Sequence, residues 1–275
     1  MAYKDILVHL DSAQNLDQRL AMAARLAREH DAHLTGLFVR TPPHIPPFVQ
    51  AQLGSEVMEL QQRRMREAAE GMEARFDEFC RKEGLQKHEF RSPEGDPVEV
   101  LRLHGRYTDL VVIGQVDPED ETVDPSLPDH IILDVGRPVL VVPYVGTFDR
   151  FAEHVMVAWS GTRESIRAVD DAMPLMQAAD KVSVMAIDPS KGIYGDLPGA
   201  DLALHLARHD VTAEAEHIHS GDVDPGNMLL SRVSDESVDL LVMGAYGRSR
   251  LREVVLGGVT RTVLQHMTCP VLMAH

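Results

Sequence analysis

The sequence predicts an α/β protein made of two tandem doubly wound parallel-sheet domains, packed as a pseudo-twofold intramolecular dimer. Three observations carry this prediction. Blocks of sequence recur in order: "KDILVHLD" near the start resembles "EHVMVAWS" at 153–160, and "YTDLVVIG" at 107–114 resembles "SVDLLVMG" at 237–244. "GRPVLVVP" at 136–143 likewise resembles "TCPVLMAH" at 268–275, and the offsets of 149, 130 and 132 residues differ only as unequal loops require. Apolar segments of strand length alternate with segments of helical period, and the strand segments are continuously apolar. That combination belongs to a parallel sheet covered on both faces.

The elements follow in order. "DILVHL" is a first strand, and Leu16, Leu20, Ala23, Ala24 and Ala27 then recur at helical spacing. "AHLTGLFV" is the second strand, residues 55–84 form a long helix without proline, and "KHEFRS" is the third strand. A short helix "DPVEVLRLHGRY" leads to the fourth strand "TDLVVIG" and, after a further helix, to the fifth, "RPVLVVP". The second half repeats the pattern, with Ile166, Val169, Met173 and Met176 lining its first helix and Pro174 expected to kink the end of it. The boundary falls in "YVGTFDR", giving domains of residues 1–147 and 148–275. The last strand of each half is apolar and falls at a sheet edge. Exposed edges invite pairing, so the halves are expected to join through these two strands.

Composition narrows the function. With 43 acidic and 27 basic residues the formal charge is −16, a field that repels polyphosphate backbones and argues against nucleic acid as a partner. No apolar run reaches the roughly 18 residues of a membrane helix, and the N-terminus lacks a signal-peptide pattern. Cys80 and Cys269 form no CxxC, so the expected compartment is the cytoplasm, with Cys269 an inert core thiol.

Any anion site must then be local, and the end of the chain offers one. After the fourth strand of the second half come Gly244 and Gly247, then an arginine-rich stretch, then Gly257 and Gly258 at the start of the helix "VTRTVLQHM". Glycines let the backbone turn with positive φ and approach a ligand closely, and a helix N-terminus offers unpaired N–H donors to phosphate. Arg248, Arg250, Arg252 and Arg261 stand there in a half with 11 basic and 18 acidic residues. Ligands of doubly wound sheets bind beyond the carboxyl ends of strands, where the strand order reverses. Neither a Walker GxxxxGK[ST] nor a Rossmann GxGxxG is present.

The pattern G-x2-G-x9-G on Gly244, Gly247 and Gly257, after an apolar strand and before a "CPVL" strand, resembles that of the universal stress protein family. The resemblance extends over both halves and implies an adenine-nucleotide alpha-hydrolase-like fold and a stress-response role. It also implies ATP, with Mg2+ as a candidate companion, lying across strands one and four. Carried onto this sequence, it points to Ala158, Trp159, Ser160, Ile187, Met243, Gly244, Gly247, Arg248, Gly257, Gly258, Val259 and Thr260. Triphosphate would sit on the glycine loop, and adenine near the end of the second strand. Two positions depart from the family. Gly258 stands where Ser or Thr usually meets phosphate, leaving Thr260 or backbone N–H groups to substitute. Ser160, after Trp159, stands where Asp usually meets ribose.

The first half keeps Asp11 at the end of its first strand but lacks the glycine loop, and five acids crowd residues 117–124. Like charges at close range oppose a triphosphate there. One nucleotide per chain is expected, in the second half. His205, His209, His217 and His219 could hold zinc only if a helical pair met a strand pair, and surface positions explain them more simply. The segments 40–54 and 188–199 are long connections, either surface excursions or, for the second, a lid over the pocket. No catalytic constellation is present. The expected role is a nucleotide-biased regulator with an unknown protein partner. Its rivals are a nucleotide-free scaffold and a slow ATP-hydrolysing enzyme, and a homodimer of the tandem chain is compatible with each.

Overall fold

A computed structural model of the protein describes residues 2–42, 55–120, 124–187, 199–247 and 257–275. The two long connections, Arg248, Arg250 and Arg252 therefore lie outside the described residues, apart from the ends of the connections. The first half runs β1 (Asp5–Leu10), α1 (Leu16–His30), β2 (His33–Phe38), α2 (Ser55–Lys82), β3 (His88–Arg91), α3 (Pro97–Gly105), β4 (Leu110–Gly114), α4 (Leu127–Asp134) and β5 (Val139–Val142). The second runs β6 (His154–Ala158), α5 (Arg163–Ala178), β7 (Lys181–Ile187), α6 (Ala200–Ala207), β8 (Ala213–Ile218), α7 (Pro225–Asp235), β9 (Leu240–Gly244), α8 (Gly258–His266) and β10 (Val271–Ala274).

All ten strands form one sheet in the order β3-β2-β1-β4-β5-β10-β9-β6-β7-β8. Every pairing is parallel except the central one, where β5 meets β10 antiparallel with Leu140 opposite Leu272. The register is symmetric about that pair, with Val141 against Val271 and Val139 against Met273. The two edges expected to pair do so, and neither remains exposed. Val139, Leu140, Val141, Val271, Leu272 and Met273 are all fully buried, so the seam lies at the centre of the molecule's core.

Alternation along each strand divides the core between the two faces of the sheet. Ile6, Val8 and Leu10 of β1 face α1 and Phe76 of α2, while Leu7 joins the side covered by α3, α4, α7 and α8. Both clusters run across the seam without a break. The outermost strands are the exception to continuous apolarity. β8 keeps Ala213 and Ala215 half-buried with Glu214, Glu216 and His217 exposed, as an edge strand allows.

The repeats reappear as repeated physics. Asp109 ahead of β4 accepts the N–H groups of Lys4 and Asp5, at 2.7 and 3.1 Å, and Asp239 ahead of β9 accepts that of His154 at 3.1 Å. Asp96 and Asp224 each cap a helix that opens on proline, α3 and α7 respectively. One expectation is corrected on α5. Val169, Met173 and Met176 are buried, but Ile166 is 48% exposed. Ser165, Ala168 and Ala172 are buried beside them, and α5 comes closest to β9 where the Ser165 backbone meets Gly244.

Candidate functional site

The switch point of the second half lies between β6 and β9. Ala158 at the end of β6 pairs with Met243, and Gly244 follows at the end of β9. Ile187 closes the neighbouring β7. Trp159 is half-buried against the core, its N–H donated to the carbonyl of Met185 at 2.8 Å, and Ser160 is exposed beside Thr162, with hydroxyls 3.1 Å apart. These residues share one edge of the sheet. Gly247, Gly257 and Gly258 lie along the same loop and helix start, while Arg248 lies outside the described residues.

Two helices aim their N-termini at this edge. Thr162 caps α5, its hydroxyl accepting the Ser165 N–H at 3.4 Å. α8 begins at Gly258 with Gly257 in front of it, and among the described residues no side chain caps its first N–H groups. The Arg261 N–H makes the first helical bond, to the carbonyl of Gly257. Val259 is half-buried and Gly258 exposed, with nothing within 4 Å of where a β-carbon would stand.

The glycines do not act in the way the sequence suggested. Among the described residues, positive φ in this loop falls on Tyr246, at 58°, and not on Gly244 or Gly247. Gly257 has φ −53°, open to any residue. Gly244 is required for a different reason: a β-carbon there would sit 2.4 Å from the backbone nitrogen of Ser165. Its bare backbone lets α5 press its N-terminus against the end of β9. Thr260 bonds to the residue before Gly247. It is buried, and its hydroxyl oxygen accepts the Tyr246 N–H at 3.3 Å, so it clamps the loop from within.

Sequence reasoning missed Glu164, which lies under the loop. It is 5% exposed, and a β-carbon on Gly247 would stand 3.4 Å from its Oε2. Burial opposes its charge, yet the hydrogen bond from Arg163 and those from its own N–H and the Thr162 hydroxyl hold it below the usual glutamate range. A carboxylate thus lies beside Gly247, one of the residues expected to hold phosphate. Its position in the first turn of α5, where acids complement the helix dipole, was the available signal.

The first half presents the opposite chemistry at the matching edge. A cavity of about 570 Å3 is lined by residues including His9, Asp11, Arg19, Gln115, Asp117 and Tyr144. Arg19 is 1% exposed and grips Asp11 with both terminal nitrogens, at 2.9 and 2.5 Å. Its guanidinium also lies against Gly114, 3.2 Å from a β-carbon placed there. Burial raises the Asp11 pKa, but the charge and hydrogen bonds of Arg19 outweigh it and leave the carboxyl below its usual range. The aspartate is therefore already paired. His9, at the repeat position of Ala158, is buried beside it and pushed down to about 4, chiefly by desolvation and further by Arg19, against the opposing pull of Asp11. Arg19 was visible in the sequence as a lone charge on the apolar stripe of α1.

The remaining candidates resolve simply. His205 and His209 lie ring against ring, as do His217 and His219, and among the described residues no group of three or more His, Cys, Asp or Glu side chains is placed to hold a metal. Cys80 and Cys269 are buried, and desolvation pushes both thiols up to about 12. Among the described residues no helix is long and apolar enough to cross a membrane.

Known proteins agree with this architecture. The family model described as "Universal stress protein family" matches residues 2–143 and again 152–275. The universal stress protein YxiE of Bacillus subtilis is 38% identical over 60 residues, 22% of this chain and 40% of that protein. Universal stress protein MJ0577 of Methanocaldococcus jannaschii is 37% identical over 49 residues, 18% of this chain and 30% of that protein. These matches thus span less than half the length of either relative. The crystal structure of a universal stress protein from Archaeoglobus fulgidus superposes over 100% of this chain and 96% of its own with a TM-score of 0.80, at 15% identity, a likeness of fold. Two family units in tandem, sharing one sheet, make this chain a member of the universal stress protein family.

Proposed function

We propose that the chain binds one adenine nucleotide, ATP foremost, in its second half, residues 148–275, and uses it as a ligand that biases conformation or partner choice. The observation that carries this reading is the uncapped N-terminus of α8 at Gly257 and Gly258, set beside β6 and β9 at the switch point of the half-sheet. N–H donors that no described side chain caps and the helix dipole suit phosphate, and the exposed Gly258 permits close approach. Ala158, Met243 and Ile187 offer the apolar floor for a base, with Trp159 at its margin and Ser160 within reach of a ribose hydroxyl. Residues 1–147 form the companion unit, whose corresponding aspartate is closed by Arg19. Buried thiols without a disulfide fit a reducing compartment, the cytoplasm.

Glu164 favours a rival reading, a nucleotide-free scaffold, because its carboxylate opposes phosphate unless Mg2+ or the loop arginines offset it. Calorimetry separates the two. ATP should bind the wild type and fail to bind Gly247→Val and Gly257→Val, while circular dichroism shows the sheet intact. A β-carbon at 247 meets only ordinary contacts of 3.4–3.5 Å, so folding should survive. Unchanged affinity in both variants makes the loop a mere turn and favours the scaffold.

A further inference from the structure

Tyr246, the residue before Gly247, is held from the first half. Tyr246 leaves β9 with φ 58°, a left-handed conformation that a bulky residue adopts only when its surroundings fix it. Three contacts fix it here. Its N–H is donated to the buried hydroxyl of Thr260 on α8. Its ring is 5% exposed, within the apolar cluster that spans both halves. Its hydroxyl donates a hydrogen bond to Oδ1 of Asp129 on α4, 117 residues earlier in the chain. α4 in turn rests on β10 across the seam. Gly247 is the next residue, so the backbone path toward the α8 N-terminus starts from a residue that α4 anchors.

We infer that Tyr246 is a positioning residue through which Asp129 of the first half sets Gly247 and the start of α8 for the ligand of the second half. This rests on the nucleotide reading above and deepens it, since it makes the companion unit a regulator of the site rather than an inert copy. Burial and the Asp129 carboxylate both push the Tyr246 hydroxyl far above its usual range, so it stays a donor at any physiological pH. Movement of α4 by a partner or a covalent change would then reach the loop through a single bond.

The test compares Tyr246→Phe, Asp129→Leu and Asp129→Asn with the wild type in the intact chain. ATP affinity by calorimetry should fall about tenfold in the first two, whose combination should be no worse than either alone. Asp129→Asn keeps an acceptor oxygen and should restore most of the affinity. Hydrogen exchange supplies an arm that needs no ligand: the Tyr246 amide should lose at least tenfold of its protection in Tyr246→Phe and Asp129→Leu, with the β9 amides unchanged. A wild type that takes no ATP sinks the nucleotide reading by itself, and the exchange arm then decides the positioning role. Unchanged Tyr246 protection in both variants overturns the inference, as does unchanged ATP affinity in a wild type that binds.

Discussion

At the scale of single residues, charge placed in the core has the clearest consequences. His9 is buried, and its imidazole is held down to about 4 against an unfolded value near 6.5. As pH falls below 6.5 the unfolded chain takes up a proton that the folded chain refuses. Stability is therefore lost between pH 6.5 and 4, by roughly 3 kcal/mol if the whole shift is expressed. Denaturant titrations across this window should show His9→Asn losing less stability than the wild type, and identical slopes would contradict the burial argument. Asp11 has the same sign at lower pH, since its depressed carboxyl stabilises the fold until protonated. Glu164 makes a separate prediction about the site. If its carboxylate faces phosphate, Glu164→Gln should strengthen ATP binding several-fold without Mg2+ and much less with it. Equal gains in both conditions would place the carboxylate away from the phosphates.

At the scale of elements, the glycines of one motif divide into two kinds. Gly244 is a packing residue: Gly244→Ala would drive a β-carbon into the backbone of α5 and should cost about 1–3 kcal/mol or more in stability. Gly258 opens on empty space, so Gly258→Ser should leave the melting temperature unchanged and hold or strengthen ATP affinity through a new hydroxyl. Thermal melts of the two variants should thus diverge; similar losses in both would mean the contact of α5 with β9 is looser than described. The sequence could not separate these roles. Spacing marks a loop, but only the approach of α5, set by Ser165 and the small face of that helix, shows which glycine faces protein and which faces open space. Ile166 was misplaced for the same reason, since helical period alone leaves the phase of a mixed face open. The strand segments were legible throughout, because period and apolarity are local properties. Contacts such as Arg19 under Gly114, or Tyr246 on Asp129, join residues that no local pattern relates.

At the scale of the whole molecule, the seam between β5 and β10 makes two family units into one body. The fully buried strands on either side of it would be laid open by separation. The halves expressed alone should therefore self-associate or be poorly soluble, with sedimentation as the check; two well-behaved monomers without mutual affinity would contradict the shared core. The internal repeat pointed to this arrangement, since matching blocks imply matching edges. The divergence of the halves was legible only in part. The acidic run after Gly114 was visible, but the pairing of Arg19 with Asp11 depends on folding to bring residues 11, 19 and 114 together. Under the proposed function, one half of this duplicated chain holds nucleotide while the other steadies it. Calorimetric titration of the intact chain with ATP and Mg2+ tests this most directly. One site per chain is predicted, abolished by Gly247→Val and retained in Asp11→Asn; two equivalent sites, or a single site lost with Asp11, would contradict it.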